Sequence, residues 1–81
     1  MAPTPADVAL GVLVRETRLA AGLSQQQLAE ACGITFQQVQ KYERAANRIS
    51  VSRLMAVASA LGTTASQLVA EVEARLVAGD R

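Results

Sequence analysis

Residues 24–43 read SQQQLAEACGITFQQVQKYE and contain the same helix-start signal twice. Ser24 is followed three residues later by a glutamine, which is the spacing of a capping box, and Thr35 repeats this pattern eleven residues further on. Between the two signals lies Gly33, a residue type that readily takes the positive φ at which helices commonly end. Two short capped helices joined by such a turn predict a helix-turn-helix.

The composition of the chain predicts a single all-α domain. Its 81 residues can enclose only a small core, and the 51% that are apolar are mostly small aliphatic residues at helical spacing. The single Cys32 cannot form an internal disulfide, which fits a reducing cytosol, and the lack of histidine argues against a zinc-type metal site. Because the sequence shows neither a signal peptide nor an apolar run of membrane length, we expect a cytoplasmic protein.

Periodicity and capping residues divide the chain into five predicted helices. They span residues 8–21, 25–32, 36–44, 51–61 and 64–78. Asp7 is the expected N-cap of the first helix. Residues 1–7 contain two prolines and little to bury, so we expect a disordered tail there and a folded domain over 8–78.

The charge of the chain is unevenly distributed. The net charge is only +1, but residues 35–53 contain four basic residues and one acid, a local balance of +3. The last eighteen residues have a balance of −1. This distribution suggests a polarised surface that binds an anion on one side, with ordinary solvated charge as the alternative.

The third helix carries the residue types that read DNA. Val39 and Tyr42 lie on one face and predict burial, which leaves a polar and basic face opposite them. Glutamine can form two hydrogen bonds with adenine, and lysine can reach guanine, in the major groove. The predicted base contacts, in order, are Gln37, Lys41 and Gln40, with Phe36 either pressing on a thymine methyl group or packing on the second helix.

A second set of residues is expected at the DNA backbone. Gln25 lies in the first turn of a helix, where free backbone N–H groups and the helix dipole favour a phosphate. The basic loop after the third helix and the start of the fourth helix favour phosphate in the same way. The predicted backbone contacts are Gln25, Gln38, Arg44, Asn47, Arg48, Ser50 and Arg53. Gln38 has an alternative role as the partner of Thr35 in the capping box, and Arg15 is either a solvated charge or a peripheral phosphate contact.

The spacing of these residues resembles the Cro/C1-type, or XRE, helix-turn-helix of phage repressors. The matching segments are Ser24-Gln25, Leu28-Ala29, Gly33-Ile34-Thr35, Val39 and Glu43, within a resemblance over residues 10–69. It implies a compact five-helix, lambda-repressor-like domain that binds double-stranded DNA, commonly as a homodimer. It further implies a structural ion pair between Arg18 and Glu43, and a phosphate contact from Gln25.

The chain departs from the family pattern at three positions. Ala45 and Ile49 stand where the family commonly has glycine and proline, and Thr17 stands where it has a larger apolar residue. A positive φ at Ala45 would cost of order 1 kcal/mol. We therefore expect Asn47 to take part of the turn, or the helix to continue slightly. Thr17 should either loosen the core or bond back to a backbone carbonyl.

An apolar stripe on the fifth helix continues past the expected end of the core. It consists of Val69, Val72, Leu76 and Val77. Such a stripe on a terminal helix indicates a partner, and we expect homodimerisation through it. The alternative is that this helix folds back onto the first helix and fills the space beside Thr17.

These observations predict a sequence-specific DNA-binding transcriptional regulator, most simply a homodimeric repressor that reads a palindromic operator. The setting would be the bacterial cytosol or nucleoid, or a phage genome. The alternative is an antitoxin or co-regulator that mainly binds a protein partner. The sequence offers no histidine, no paired carboxylates in a plausible cleft and no phosphate-binding glycine loop, so we expect no catalytic residues, cofactor, metal or small-molecule ligand.

Overall fold

Five α-helices form the protein in a computed structural model that describes residues 2–79. They are α1 (Pro5–Ala20), α2 (Gln25–Cys32), α3 (Phe36–Glu43), α4 (Val51–Ala60) and α5 (Ala65–Gly79). No strand occurs within the described residues, so the predicted all-α, five-helix fold is confirmed. Within the same range, no helix has both the length and the apolarity needed to cross a bilayer.

The starts of the middle helices follow their capping residues. Ser24 accepts a hydrogen bond from the backbone of Gln27, whose side chain bonds back to the Ser24 N–H, so the capping box of α2 is complete. Gly33 ends this helix at φ 69°, as predicted. The cap of α3 is only half a box, because the Gln38 side chain donates to the Tyr42 hydroxyl at 3.0 Å and does not return to Thr35. The predicted capping role of the Gln38 side chain is therefore wrong.

The first helix begins earlier than predicted. Thr4 is its N-cap, Pro5 occupies the first turn, and Asp7 is the third helical residue whose carboxylate accepts from the Thr4 backbone N–H at 2.8 Å. The prediction that Asp7 is the N-cap, and that residues 1–7 form a disordered tail, is wrong over Pro5–Asp7. The physical reason is that proline is favoured at the start of a helix, where its missing N–H has no partner to lose. Met1, which also belonged to the predicted tail, lies outside the described residues.

The turn after α3 places a non-glycine residue in the left-handed region. Ala45 has φ 58°, so the expectation that Asn47 would relieve this position is wrong. The Ala45 N–H donates to the Tyr42 carbonyl at 3.1 Å, and the Ala46 N–H donates to the Lys41 carbonyl at 2.8 Å. This pair of bonds is the Schellman arrangement, which satisfies the free carbonyls at a helix end. Those bonds offset the strain at Ala45, and the chain keeps the turn without glycine.

The core consists of two adjoining clusters of buried side chains. The first joins the helix-turn-helix to its neighbours through Val14, Leu28, Ala29, Val39, Val57 and Leu61. The second lies between α1, α4 and α5 and contains Leu13, Leu54, Ala58, Leu68 and Val72. The Thr17 hydroxyl donates a hydrogen bond to the Leu13 carbonyl at 2.7 Å. This bond to the backbone is one of the two alternatives predicted for Thr17.

A close contact sets the distance between α1 and α3. A Cβ atom added at Gly11, which is buried, would lie 2.7 Å from the carbonyl oxygens of both Tyr42 and Glu43. Only glycine therefore allows the end of α3 to approach α1 this closely. The position of the helix-turn-helix on the rest of the domain depends on this contact.

The fifth helix folds back against the first helix. Val72 is buried in the second core cluster, so its assignment to a dimer interface is wrong, whereas Leu76 is half-buried against the same cluster. The alternative prediction, in which this helix folds back onto the first helix, agrees with the positions of these two side chains. Arg75 reinforces the arrangement by donating to Glu16 of α1 at 2.6 Å. Val69 and Val77 are the members of the predicted stripe that stay exposed.

Candidate nucleic-acid interface

One face of α3 is anchored in the core and the opposite face is open to solvent. Val39 and Tyr42 are buried, whereas Gln37 and Lys41 are exposed on the opposite side. Phe36, at the start of the helix, is 39% exposed. Of the side chains predicted to contact bases, Gln37 and Lys41 thus project freely into solvent, and the aromatic ring of Phe36 lies near them in the sequence.

The C-terminal end of α3 is fixed by a buried ion pair. The Arg18 guanidinium contacts both carboxylate oxygens of Glu43, with Nε–Oε2 at 2.6 Å and Nη2–Oε1 at 3.1 Å. The side chains are only 8% and 4% exposed, and Arg18 also donates to the Leu23 carbonyl at 2.9 Å. A two-pronged arginine–carboxylate pair of this kind fixes orientation as well as distance. It ties α3 to α1 and to the turn before α2.

Gln25 is joined to the same ion pair. Its Nε2 atom donates to Glu43 Oε1 at 3.0 Å, so the first residue of α2 is held against the last residue of α3. Its backbone N–H and that of Gln26 have no hydrogen-bond partner within residues 2–79, because the Ser24 cap engages only later amides. The start of α2 therefore presents two free donors beside a side-chain amide of fixed orientation.

The loop after α3 and the start of α4 hold the other residues predicted at the DNA backbone. Arg44 and Asn47 are exposed. Arg48 is also exposed, but its Nε lies 3.2 Å from Asp7 Oδ2, so this arginine is paired within the domain. Ser50 is the N-cap of α4 and accepts from the Arg53 backbone at 3.2 Å. Its hydroxyl thus already has a structural role.

A polar cleft lies where α1, α2 and α3 meet, and we call it the arginine cleft. Its lining residues are Arg15, Arg18, Gln25, Gln40, Glu43 and Arg44. Gln40, predicted as a base contact, is half-buried here, beside the outward face that carries Gln37 and Lys41. The cleft contains three arginines and one glutamate, and so has a net charge of +2.

The unpaired positive charges are concentrated around α3. Among the described residues, Arg15, Lys41, Arg44 and Arg53 form no ion pair, whereas Arg18, Arg48 and Arg75 each do. Lys41 and Arg44 belong to α3 and its cap, and Arg15 faces α3 across the arginine cleft. The positive potential of the molecule is thus directed to the side on which the exposed polar residues of α3 lie.

Neither a metal site nor a reactive thiol is found among residues 2–79. No group of three histidine, cysteine, aspartate or glutamate residues comes together in this part of the chain. Burial raises the pKa of the half-buried Cys32 thiol, against a smaller opposing effect of the Arg53 charge. Since the thiolate is the nucleophilic form, this cysteine acts as a packing residue.

Comparison with known proteins identifies the family. A helix-turn-helix family model matches residues 14–68, which include α2, α3, α4 and the C-terminal part of α1. The chain belongs to the Cro/C1-type (XRE) helix-turn-helix family. The resemblance deduced from the segments around Gly33 is therefore confirmed.

Relatives and solved structures of this helix-turn-helix family agree with that assignment. An HTH-type transcriptional regulator of Rickettsia conorii is 56% identical over 55 residues, which cover 68% of this chain and 44% of the relative. An XRE-family like protein from Pseudomonas syringae has a TM-score of 0.78 at 34% identity, covering 86% of this chain and 85% of that chain. The restriction-modification controller protein C.AhdI from Aeromonas hydrophila has a TM-score of 0.73 at 34% identity, covering 75% and 92%. The chain spans about half the length of the first curated relatives it matches.

Two residues of this helix-turn-helix domain gain importance only in the structure. A glycine within a helix costs about 1 kcal/mol relative to alanine, so Gly11 is a sequence signal of a close packing contact that lies outside the motif. The sequence predicts either a surface charge or a phosphate contact for Arg15, because it does not show that Arg15 lines one cleft with Gln25 and Arg44. Both residues belong to α1, which lies outside the helix-turn-helix motif.

Proposed function

We propose that this chain is a sequence-specific regulator of transcription that binds double-stranded DNA by placing α3 in the major groove. The observation that carries the proposal is the two-sided character of α3. Val39, Tyr42 and Glu43 fix one side to the core, which leaves Gln37 and Lys41 exposed on the other. Membership of a helix-turn-helix family, and relatives that are transcriptional regulators, support the same role.

Each part of this surface has its own role in the proposal. Gln37 is the first base reader because glutamine can bond both the N6 and N7 positions of adenine, and Lys41 reaches guanine one turn later. Phe36 presses its exposed ring on a thymine methyl group. The exposed basic and polar residues of the following loop, Arg44 and Asn47, contact the sugar-phosphate backbone and supply affinity rather than sequence choice.

Selection of bound duplexes from a randomised pool tests this proposal. The wild type is compared with Gln37→Ala and with Gln26→Ala, an exposed glutamine on α2 whose side chain bonds Glu30. We expect the wild type and Gln26→Ala to select the same motif, and Gln37→Ala to lose discrimination at defined base pairs. A mismatch at one base pair commonly costs about 1–3 kcal/mol. Selection of no motif by the wild type would contradict the proposal.

We further propose that the chain acts as a homodimer through a neutral face of α4 and the start of α5. Val51 and Met55 are 74% and 59% exposed, and Val69 lies one turn beyond the start of α5. A shallow groove lies beside them, lined by Val51, Met55, Ser59, Thr63, Thr64, Ala65 and Ser66. None of these lining residues is charged, so a second copy can meet this face about a two-fold axis without like charges facing each other.

Sedimentation equilibrium tests the dimer. Met55→Glu introduces one charge in the proposed interface, and Leu19→Glu introduces the same charge at an α1 position that is 56% exposed. We expect the wild type and Leu19→Glu to be dimeric and Met55→Glu to be monomeric, with a corresponding loss of binding to a two-half-site operator. A monomeric wild type would reject the dimer and would favour a protein partner on this face, as in the antitoxin or co-regulator alternative.

Repression is the simplest mode of action for such a regulator. A dimer that occupies two half-sites about one helical turn apart would block access to overlapping promoter DNA in the cytoplasm. The lack of histidine in the chain also supports a binding role over a catalytic one. In vitro transcription from a promoter that contains the selected motif tests the sign of the effect, and increased transcript would reject repression.

A further inference from the structure

The domain contains a second arginine–carboxylate pair, which links the loop after α3 to the start of α1. Arg48 Nε lies 3.2 Å from Asp7 Oδ2, and the two side chains are 53% and 23% exposed. This is the only side-chain hydrogen bond that Arg48 forms within residues 2–79. The Arg18–Glu43 pair is the opposite in construction, because both of its side chains are buried and two bonds join them. An exposed pair with a single bond contributes little to stability and is easily exchanged for another partner.

The two partners of this exposed pair are held unequally. Asp7 Oδ2 also accepts hydrogen bonds from the Thr4 backbone N–H at 2.8 Å and from the Thr4 hydroxyl at 2.9 Å. The cap of α1 therefore fixes the carboxylate independently of Arg48. A guanidinium has several N–H donors, and within residues 2–79 only the Nε–H of Arg48 is bonded. Asp7 thus presents a fixed acceptor to an arginine that can turn to another partner.

The arginine of this pair lies in a strongly basic segment. Residues 44–53 contain three arginines and no acid, and Arg44 and Arg53 form no ion pair among the described residues. Asp7 of α1 is the carboxylate that reaches this segment. Carboxylate and phosphate are the acceptors that a guanidinium prefers, and both take the same N–H groups. The Nε–H of Arg48 is therefore bonded either to Asp7 or to a phosphate.

We propose that Asp7 withholds Arg48 from the DNA backbone by taking the place of a phosphate at its guanidinium. The proposal rests on the proposed function, which brings the loop after α3 to the DNA. Asp7 then limits the part of the affinity that does not depend on sequence, although it does not contact DNA itself. Arg48 differs in this respect from Arg44 and Asn47 of the same loop, which are exposed and remain backbone contacts in the proposed function.

A purely structural role for the pair gives the opposite expectation. A pair that holds the loop in position for DNA would weaken binding when either partner is removed. A carboxylate that competes with phosphate does the reverse, because its removal releases an arginine and strengthens binding. The sign of the effect of one substitution at Asp7 therefore separates the two roles.

The test is a double-mutant cycle, measured as the salt dependence of binding to a duplex of arbitrary sequence. Each phosphate that the protein neutralises contributes about −0.9 to the slope of log K against log salt. The variants are Asp7→Asn, Arg48→Ala and the two combined. Asparagine keeps a side-chain oxygen that can accept from Thr4, and circular dichroism verifies the fold of each variant. Glu73→Gln, which removes the same charge from an exposed residue of α5, is the control.

Release of Arg48 predicts a specific pattern of slopes. We expect Asp7→Asn to increase the magnitude of the slope by about 0.9, so that its affinity relative to the wild type changes about 3.5-fold between 50 and 200 mM salt. The same substitution should have no effect in the Arg48→Ala background. Arg48→Ala alone and Glu73→Gln should leave the slope unchanged.

Several outcomes of the cycle would overturn the proposal. A loss of about 0.9 in slope for Arg48→Ala alone would show that Arg48 already binds a phosphate in the wild type. An equal increase for Asp7→Asn in both backgrounds, or for Glu73→Gln, would reduce the effect to net charge. Weaker or unchanged binding by Asp7→Asn would reject competition with phosphate.

A second measurement needs no DNA and separates failure of this inference from failure of the proposed function. Inorganic phosphate is titrated into protein labelled for NMR, and the signal of the Arg48 Nε–H group is followed. We expect this signal to respond at a lower phosphate concentration in Asp7→Asn than in the wild type. An equal response would reject the competition, whatever the randomised pool yields. A pool that yields no motif would reject sequence-specific regulation alone, because the slopes and the phosphate titration remain measurable.

Discussion

At the scale of single residues, the turn after α3 contains a conformation that the sequence does not favour. Ala45 has φ 58°, and the left-handed region costs an L-residue about 1–2 kcal/mol. Ala45→Gly removes this strain, although the more flexible unfolded chain takes back about 0.4–1 kcal/mol. We expect the variant to be more stable by about 0.5–1 kcal/mol in urea unfolding.

The neighbouring alanine supplies the control for this turn. Ala46 does not have a positive φ, so Ala46→Gly should destabilise the protein through the flexibility of the unfolded chain alone. Stabilisation by both substitutions, or by neither, would show that the conformation of Ala45 is not the cause.

At the scale of helices, Gly11 sets how closely α1 and α3 pack. In Gly11→Ala, the new Cβ would lie 2.7 Å from two backbone carbonyl oxygens, so the end of α3 has to move. Overpacking of this kind costs about 1–3 kcal/mol, and the better helix propensity of alanine returns about 1 kcal/mol. We expect net destabilisation in thermal unfolding and weaker DNA binding. Gly79→Ala, which meets no neighbour, is the control, and equal effects of the two would contradict the packing argument.

The start of α1 should make stability depend on pH under acidic conditions. Hydrogen bonds from Thr4, the backbone N–H first, lower the pKa of Asp7, with a smaller contribution from Arg48. Because folding lowers this pKa, the stabilisation is fully present above the ordinary aspartate pKa of about 3.9 and is lost as pH falls through the folded value. The difference in Tm between wild type and Asp7→Asn should therefore shrink as the pH falls below about 4. Glu73→Gln is the control variant, because the Glu73 side chain forms no hydrogen bond within residues 2–79.

Local signals predicted the helix-turn-helix at the level of single residues, and they failed where longer-range contacts decide. The cap of α2 at Ser24 and the turn at Gly33 depend only on neighbouring residues, and both were located correctly. The apolar stripe of α5 shows which face of the helix is buried but does not show what covers that face. The prediction therefore placed Val72 against a second molecule, whereas α1 and α4 cover it in the structure. The arginine cleft was not predicted, because its lining residues come from three helices.

At the scale of the whole molecule, the Arg18–Glu43 pair joins the core to the proposed DNA surface. Removal of one partner of a buried ion pair costs about 3–5 kcal/mol, since the other charge is left unpaired. We expect Arg18→Met to lose stability in this range in urea unfolding. The double variant Arg18→Met/Glu43→Leu should recover most of it, because an apolar pair of similar volume replaces both charges. A loss below about 1 kcal/mol in the single variant would indicate a pair that water already solvates.

Under the proposed function, the two-sided construction of α3 also determines how easily the DNA sequence that it reads can change. The residues that hold this helix in place, Val39, Tyr42 and Glu43, are separate from Phe36, Gln37 and Lys41, which project outwards. Substitutions at the outward positions therefore leave core packing untouched, and exposed sites commonly change stability by less than about 0.5 kcal/mol. The side chains of the outward face can therefore be replaced as a set without a change in the core. Duplicated copies of such a gene could acquire new operators by a few substitutions, and a designer could graft a different set of side chains onto the same framework.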